Sequence, residues 1–256
     1  MISTDQMGNN IDIKEYPKRI ISLVPSITEL LFDLGLQKEI VGVTSYCILP
    51  EKEVSSLPKV GGTKEFNFEL IDKLSPDLII AGKEENSKEG IEKLNKKYPV
   101  WVSDVGAVDD AVDMILSLGK LTGKEKESMI LTGEITGGLN GLNPSRKYKA
   151  AYLIWKEPYM TVGGDTFIND MMKRSGFINI FSGSKRYPQI ELDALEEAEL
   201  ILLSTEPYPF SPEDVDFFKQ KFPSAIIQLV DGQIYSWYGS RMKYAAKYIS
   251  ELFISY

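Results

Sequence analysis

The side chains available for chemistry are carboxylates, hydroxyls, aromatic rings and one thiol, because the sequence has no histidine and a single cysteine, Cys47. Without histidine the chain cannot form a Ser-His-Asp triad, a Cys-His dyad, an HExxH zinc site or an imidazole-ligated haem. A single cysteine allows neither an internal disulfide nor a cysteine-rich cluster. Free transition metals need several histidine, cysteine or carboxylate ligands, so we predict no protein-built metal site and no intrinsic cofactor.

The candidate ligand contacts of the first half follow predicted strands or lie in a glycine-rich loop. They are Ser26, Tyr46, Cys47, Lys64 and Glu85. Open α/β sheets bind ligands at the C-terminal ends of their strands, which is why such positions are predicted to contact a ligand. Simpler interpretations stay open: Cys47 as a buried inert thiol, Gly61 to Lys64 as a tight turn, and Glu84 and Glu85 as acids that cap a helix. The GGTK sequence does not match the GxxxxGK[ST] phosphate-binding pattern.

Aromatic residues dominate the predicted strand ends of the second half. The candidate ligand contacts there are Trp155, Tyr159, Glu206, Tyr208, Phe210, Trp237, Tyr238 and Arg241. Three aromatic loops after three strands suit a flat or hydrophobic ligand that needs ring contacts and a few polar groups. The alternative interpretation is that these rings pack on the surface of their own domain.

Short apolar runs that alternate with helical patterns predict the elements that position these residues. Strands are predicted at 20–24, 40–43, 78–81, 100–102, 150–155, 200–204 and 225–230. Helices are predicted behind Pro25-Ser26, at 68–74, at 87–97, at 165–175, from Ser211-Pro212 and at 240–253. Strands that alternate with helices indicate an α/β fold with parallel sheets.

Local signals predict where several of these helices begin. Ser26 with Glu29 three residues later fits a capping box. Asn67 is predicted to cap the short helix that follows it, and Asp165 to cap the helix in the second half. The pair Asp231-Gly232 is predicted to form a turn before the last helix.

Residues 107–142 interrupt the alternation, because they contain no predicted strand. The first part has a helical stripe of apolar residues, whereas 124–142 contains four glycines, each of which costs a helix up to about 1 kcal/mol. A helix and a flexible linker are both open, and the scarcity of turn-forming dipeptides favours the helix. The predicted domain limits are 1–103 for an N-terminal lobe, 104–143 for a helical connection and 144–256 for a C-terminal lobe.

The charge balance narrows the classes of partner. The 256 residues include 37 acidic and 29 basic side chains, a formal net charge of −8, which argues against a nucleic-acid partner. No apolar run approaches the ~18 residues of a membrane span. Residues 1–10 lack the pattern of a secretory signal, so the sequence as written predicts a cytoplasmic protein, and a periplasmic or cell-surface one if a signal has been removed.

Four segments carry a resemblance to a known family. Residues 17–31, PKRIISLVPSITELL, are similar to the opening of class III ABC-transporter substrate-binding proteins, the vitamin B12 and iron-siderophore binders also called helical-backbone metal receptors. Further similarity lies in VGGT at 60–63, in SPDLIIA at 75–81, and in Asp231-Gly232 before Trp237.

The resemblance covers about residues 10–253, and it implies an architecture and a docking mode. It implies two Rossmann-like α/β lobes joined by a long backbone helix, with a shallow ligand-binding cleft and no catalysis. It also implies one acidic residue on each lobe that docks on arginines of a membrane permease: Glu69, and Asp193 with Glu191 as the fallback. Relatives tend to carry a histidine shortly after the cysteine, whereas this chain reads Cys47-Ile48-Leu49-Pro50, so a metal contact there is lost.

The sequence therefore predicts a monomeric, non-enzymatic binding protein for a metal-containing chelate that delivers its ligand to an ABC permease. A corrinoid is the first candidate, and an iron-siderophore or haem is the second, because a chelate brings its own metal ligands. The rival hypothesis is a cytoplasmic cofactor-handling or chelatase-like enzyme, in which Glu84 and Glu85 act as general acid and base. A third is an interaction module that uses Glu69 and Asp193 to bind another partner.

Overall fold

The computed structural model describes residues 2–144 and 146–254. The chain divides into two compact units. The first unit comprises Met1–Val105, Asp109–Glu134 and Tyr238–Arg241. The second unit comprises Gly106–Val108, Ile135–Trp237 and Met242–Tyr256. Positions 1, 145, 255 and 256, which the predicted domain limits include, lie outside the described residues.

The first unit is built on a parallel sheet. The strands of the first unit are β1 (Ile2–Thr4), β2 (Asn10–Asp12), β3 (Ile20–Ser22), β4 (Ile40–Val43), β5 (Leu78–Gly82) and β6 (Val100–Ser103). The sheet has the order β4-β3-β5-β6 with every pair parallel, and β1 and β2 form a separate antiparallel hairpin. All five residues of β5 are buried, as expected for a parallel strand covered on both faces.

Helices follow these strands and continue through the middle of the chain. They are α1 (Pro25–Asp33), α2 (Glu51–Ser55), α3 (Phe68–Leu74), α4 (Lys88–Asn95), α5 (Val108–Thr122) and α6 (Glu125–Asn140). A core cluster of the first unit includes Ile21, Ile71 and Ile79, so α3 packs on the same apolar layer as β3 and β5.

The second unit repeats the same sheet topology. Its elements are β7 (Tyr148–Trp155), β8 (Met160–Thr161), α7 (Phe167–Arg174), β9 (Phe177–Asn179), β10 (Leu200–Ser204), α8 (Pro212–Lys221), β11 (Ile226–Val230), α9 (Gly232–Ser236) and α10 (Ala245–Ile254). Short 3₁₀ helices lie at Leu192–Leu195 and Ser240–Tyr244. Strand β7 pairs in parallel with β9 and β10, and β10 pairs with β11, so the order β9-β7-β10-β11 matches β4-β3-β5-β6.

The connection between the strand regions is helical, and the flexible-linker alternative is wrong. Helices α5 and α6 are separated at Gly123, whose φ of +70° is the left-handed conformation that glycine adopts without strain. The glycines within α6 do not interrupt it, and Leu131, Ile135 and Leu139 bury one face of the helix. The boundary between the two units falls inside α6, after Glu134.

Several predicted helix signals are confirmed, and two are wrong. Asn67 caps α3 as predicted, because its Oδ1 accepts from Leu70 N at 3.0 Å. The predicted capping box at Ser26 is wrong, since α1 begins one residue earlier at Pro25, whose fixed φ suits a first helical position, and no side chain caps it.

The second wrong signal is Asp165. The N-cap of α7 is Thr166, whose Oγ1 accepts from Asn169 N at 3.2 Å. The Asp165 carboxylate accepts instead from Arg186 N.

The C-terminal region differs from its prediction in two ways. Asp231-Gly232 does not form a simple turn, because Asp231 Oδ1 accepts from Gln233 N at 2.9 Å and caps the short helix α9. The predicted helix 240–253 begins as a 3₁₀ helix and becomes α-helical at Ala245. Among the described residues no helix combines the length and apolar character needed to cross a bilayer.

Candidate functional site

The loop after β5 brings a half-buried carboxylate, Glu85, to the end of the first sheet. Asn86 fixes this loop: its Oδ1 accepts from Gly82 N at 2.8 Å, and its amide nitrogen donates to Thr63 O at 2.9 Å. Glu85 then accepts from the hydroxyl of Tyr238, at 3.1 and 3.2 Å to its two oxygens. Burial raises the pKa of the Glu85 carboxyl, and burial beside this acid holds the pKa of Tyr238 well above 10.

The glycine-rich loop of the first unit is a tight turn. Gly61 has φ +108°, and a Cβ added there would come within 2.4 Å of Glu65 O, so only glycine fits. Lys64 is exposed at the end of this turn, and its Nζ donates to Glu84 O at 2.8 Å. The turn interpretation of GGTK is confirmed, and it leaves the Lys64 ammonium at the surface beside the Glu84-Glu85 loop.

The loop after β4 separates an exposed ring from a buried thiol. Tyr46 is 63% exposed, whereas Cys47 is 1% exposed. The Cys47 Sγ lies 3.1 Å from Thr28 Oγ1 and 3.2 Å from Thr44 Oγ1, and burial raises the pKa of the thiol. The prediction that Cys47 is buried is therefore confirmed, and its inertness stays a prediction.

Arg241, a predicted ligand contact, forms an ion pair within the first unit. Its guanidinium forms a bidentate ion pair with Glu29 of α1, with Nε–Oε2 at 2.9 Å and Nη2–Oε1 at 2.6 Å. Both side chains are about 85% buried. The pair occupies the fork of the guanidinium, and it also explains why Glu29 takes no part in a helix cap.

Rings line the strand-end loops of the second unit. Trp155 meets Tyr208 edge-on with centroids 5.8 Å apart, and Tyr208 meets Phe210 at 4.8 Å. Tyr159 lies edge-on to Phe218 at 5.8 Å. Trp155 is 40% exposed, so it extends this row of rings, the Trp155-Tyr208-Phe210 row, out to the surface.

A second carboxylate, which is half-buried, lies in the loop after β10. Glu206 Oε1 accepts from Ser236 Oγ at 2.7 Å. Burial raises the pKa of the Glu206 carboxyl. A further charged pair, Lys156 Nζ with Asp214 Oδ1 at 2.6 Å, lies next to the aromatic loops and was not predicted, because 58 residues separate the partners.

Four of the predicted ligand contacts are less than 7% exposed. They are Ser26, Cys47, Phe210 and Tyr238. Their burial gives them contacts within their own unit, and a direct ligand contact through them stays a prediction. The predicted contacts with accessible surface are Tyr46, Lys64, Glu85, Trp155, Tyr159, Glu206, Tyr208, Trp237 and Arg241.

The predicted permease-docking acids are exposed. Glu69 lies in the first turn of α3, Glu191 precedes the 3₁₀ helix Leu192–Leu195, and Asp193 lies within it. Both short helices come directly before a central strand of their sheet, β5 or β10. In the part of the chain that the structure describes, no cluster of three or more His, Cys, Asp or Glu side chains could hold a metal ion.

Comparison with known proteins identifies the family. The family described as "Periplasmic binding protein" matches residues 20–224, most of the chain. A vitamin B12-binding protein of Vibrio campbellii is 30% identical over 182 residues, which are 69% of this chain and 66% of that protein. An uncharacterized ABC transporter substrate-binding lipoprotein, YvrC of Bacillus subtilis, is 31% identical over 180 residues, which are 66% of this chain and 57% of that protein.

This chain belongs to the periplasmic binding protein family. Among solved structures, the periplasmic vitamin B12 binding protein BtuF of Vibrio cholerae shares the fold with a TM-score of 0.80 at 21% identity, over 93% of this chain and 98% of that one. The periplasmic heme binding protein HutB of the same species has a TM-score of 0.77 at 21% identity, over 92% and 98%.

Family membership confirms the α/β fold with two parallel-sheet lobes. Periplasmic binding proteins of this family are non-catalytic, which sets aside the chelatase-like enzyme. Glu84 and Glu85 then have no acid–base role, and the half-buried Glu85 carboxyl accepts a hydrogen bond from Tyr238.

Proposed function

We propose that this protein binds a flat, metal-containing chelate for an ABC transporter, with a corrinoid as the first candidate. The observation that carries the proposal is the Trp155-Tyr208-Phe210 row of rings, which ends in an exposed indole at the end of β7. Aromatic faces bind large, weakly polar ring systems through area burial and stacking. Relatives named as vitamin B12-binding proteins, at 26–30% identity, support the same ligand class.

The charges beside these loops favour a corrinoid over an anionic ferric siderophore or haem. A corrinoid presents mostly amide side chains, whereas haem carries two propionates and many ferric siderophores are anions that need cationic partners. Two of the cations near the candidate residues already have carboxylate partners, since Arg241 pairs with Glu29 and Lys156 with Asp214. Iron-siderophore or haem binding remains the second candidate function, because Lys64 offers a surface cation in the first unit.

The test is calorimetric titration with aquocobalamin, cobinamide, haemin and a ferric hydroxamate, supported by tryptophan quenching. Trp155→Ala should weaken corrinoid binding at least tenfold, because truncating a hot-spot aromatic costs about 2 kcal/mol or more of binding free energy. Phe217→Ala is the matched control. Phe217 is also exposed (44%) and also lies edge-on to another ring, that of Phe218 at 5.5 Å. Unlike Trp155, it lies on the helix α8 and not at a strand end. Absence of micromolar binding by every chelate would refute the proposed ligand class.

We also propose that Glu69 and Asp193 dock on arginines of a permease, with Glu191 as the alternative in the second unit. Exposed carboxylates can accept bidentate pairs from arginine, and both acids lie on short helices before corresponding strands. The double variant Glu69→Ala, Asp193→Ala should lose binding to the cognate permease in detergent while chelate binding stays intact. Glu89→Ala is the control, because Glu89 occupies the same second position of its helix, α4, and is equally exposed. Unchanged permease binding by the double variant would remove the docking role.

A further inference from the structure

The loop that follows β7 packs on one face of α8. Tyr159 lies edge-on to Phe218 with ring centroids 5.8 Å apart, and Lys156 Nζ lies 2.6 Å from Asp214 Oδ1. Asp214 and Phe218 are four residues apart on α8, so they lie on the same side of the helix, one turn from each other. Both are buried. One ion pair and one ring contact therefore fix this loop against α8.

The Asp214 carboxylate is also held by its own helix. Its Oδ2 accepts from Ser211 N at 3.0 Å and from Ser211 Oγ at 3.3 Å, in the capping box that begins α8. The other oxygen, Oδ1, accepts from Lys156. Because the two oxygens have separate partners, the negative charge is fixed beside the Lys156 ammonium before any ligand arrives.

Lys156 is the cation nearest in sequence to the Trp155-Tyr208-Phe210 row. It follows Trp155 directly, and Tyr208 N donates to Ile154 O at 3.2 Å on the other side of that residue. The Lys156 side chain is 28% exposed, so solvent screens its charge only in part. An ammonium in this place attracts a carboxylate on any ligand that lies on the Trp155 indole, unless a fixed charge of opposite sign neutralises it.

We propose that Asp214 is a specificity-determining residue, which neutralises Lys156 and so leaves anionic chelates without a free cation beside the ring row. The inference rests on the proposed function, and it names the ligand class that the site selects: chelates whose side chains are uncharged amides rather than carboxylates. Specificity is a difference of two affinities, and withholding a partner from the wrong ligand contributes to it as a new contact with the right ligand does.

A purely structural ion pair would have a different consequence. If the pair only fixes the loop, its loss loosens the rings and weakens the binding of every chelate alike. Neutralisation of Lys156 instead changes the ratio of the affinities for two ligands that share one ring and differ in charge. That ratio is therefore the quantity to measure.

Two corrinoids provide a matched pair of probes. Cobinamide carries an amide on the side chain where cobyric acid carries a free carboxylate, and the two share the corrin ring. Calorimetric titration with both in their dicyano forms, at neutral pH and low ionic strength, gives the ratio of their dissociation constants. The parent should bind cobinamide more tightly. Asp214→Asn, which retains an acceptor oxygen for Ser211 N, should shift the ratio about tenfold in favour of cobyric acid.

Asp216→Asn is the matched control, because Asp216 is an exposed acid on the same helix and its replacement changes the net charge by the same amount. It should leave the ratio within about twofold of that of the parent. The shift in Asp214→Asn should decrease as salt is raised, and it should disappear in the double variant Lys156→Met, Asp214→Asn.

A second variant covers a failure of Asp214→Asn to fold, which circular dichroism detects. Lys156→Met leaves the Asp214 charge without its ammonium partner, so it should shift the ratio in the opposite direction, in favour of cobinamide. An unchanged ratio in Lys156→Met would then overturn the inference by itself.

The remaining outcomes separate the two proposals. An unchanged ratio in Asp214→Asn, equal losses of affinity for both corrinoids, or a shift that survives the loss of Lys156 would refute the specificity role and leave the proposed function intact. A parent that prefers cobyric acid would refute it as well. If the parent binds neither corrinoid nor any other chelate, the proposed function fails and the role of Asp214 falls with it.

Discussion

The two units share one sheet topology but stabilise their strand-end loops by different means. In the first unit, carboxylates make the contacts, as in the Glu29–Arg241 ion pair and the Glu85–Tyr238 hydrogen bond. In the second unit, rings make most of them, through the Trp155-Tyr208-Phe210 row. The stability of the first unit should therefore be sensitive to protonation, and the stability of the second should depend on packing.

The two units also differ in how much binding free energy their strand-end loops can offer a ligand. Glu29 and Glu85 are half-buried and already accept hydrogen bonds from protein donors, so they cannot bind a ligand without losing those partners. A row of rings that reaches the surface offers its exposed face without such a loss. We therefore expect variants of the first unit to affect mainly stability, and exposed rings of the second to affect mainly affinity.

The largest expected effect is on packing in the second unit. Phe210 is 3% exposed and contacts Tyr208, so Phe210→Ala should lower the free energy of unfolding by about 3–5 kcal/mol, through lost burial and a cavity. Urea denaturation followed by circular dichroism measures the loss. Phe217→Ala, at an exposed position on α8, should cost less than about 1 kcal/mol. Equal costs for the two variants would contradict the view that Phe210 belongs to the core.

The next effect tests the ion pair of the first unit. Glu29→Gln leaves the largely buried Arg241 guanidinium without its charged partner, so it should lower the free energy of unfolding by about 3 kcal/mol. Glu251→Gln is the control, because Glu251 forms an exposed pair with Lys247 on α10 at 3.8 Å, and such pairs contribute less than about 1 kcal/mol. A loss in Glu29→Gln no larger than that of the control would show that the pair is energetically a surface contact.

A smaller effect, which depends on pH, is expected at the half-buried Glu85 of the first unit. The pKa of Glu85 is raised in the folded state, so the folded protein binds this proton more tightly than the unfolded chain does. The stabilising contribution of Glu85 to the parent is therefore fully present below pH 4.5, and it is lost as the pH rises through the raised pKa. Glu85→Gln lacks this loss, so its free energy of unfolding relative to the parent should increase from pH 4 to pH 7.5, by the order of 1 kcal/mol.

Glu199 supplies a control of opposite sign. The backbone N–H of Lys149 and the Arg146 guanidinium hold the pKa of Glu199 below its usual range, so this acid stabilises the parent above its unfolded pKa and ceases to do so as the pH falls. Glu199→Gln should therefore lose stability relative to the parent as the pH rises. Relative stabilities of the two variants that move in the same direction with pH would contradict the assignment for Glu85.

The sequence predicts elements whose signals are local. The apolar run at 78–81 and the Asn67 cap of α3 need only neighbouring residues, and both are confirmed. Pairs that are distant in the sequence could not be predicted, since Glu29 and Arg241 are 212 residues apart and nothing in either neighbourhood indicates the other. Glu29 was even assigned to a cap, because its spacing from Ser26 fits that local pattern.

The candidate site shows the same limit. Strand ends are visible in the sequence, so the loops of Tyr46, Glu85, Trp155 and Glu206 could be predicted. Which side chains in those loops are buried depends on packing between distant segments, which is why Phe210 could not be distinguished from Trp155 by sequence.

The smallest expected change in stability compares one exposed ring from each unit. Trp155→Ala should cost about 1 kcal/mol, because it removes an edge-on contact with Tyr208, and Tyr46→Ala should cost less than about 0.5 kcal/mol, because the ring is 63% exposed. Thermal unfolding measures both. If the ring row of the second unit carries most of the affinity, Trp155→Ala reduces corrinoid binding far more than Tyr46→Ala does. Equal losses of affinity would mean that the first unit contributes as much ring surface as the second, and the contrast between the two units would then apply to stability alone.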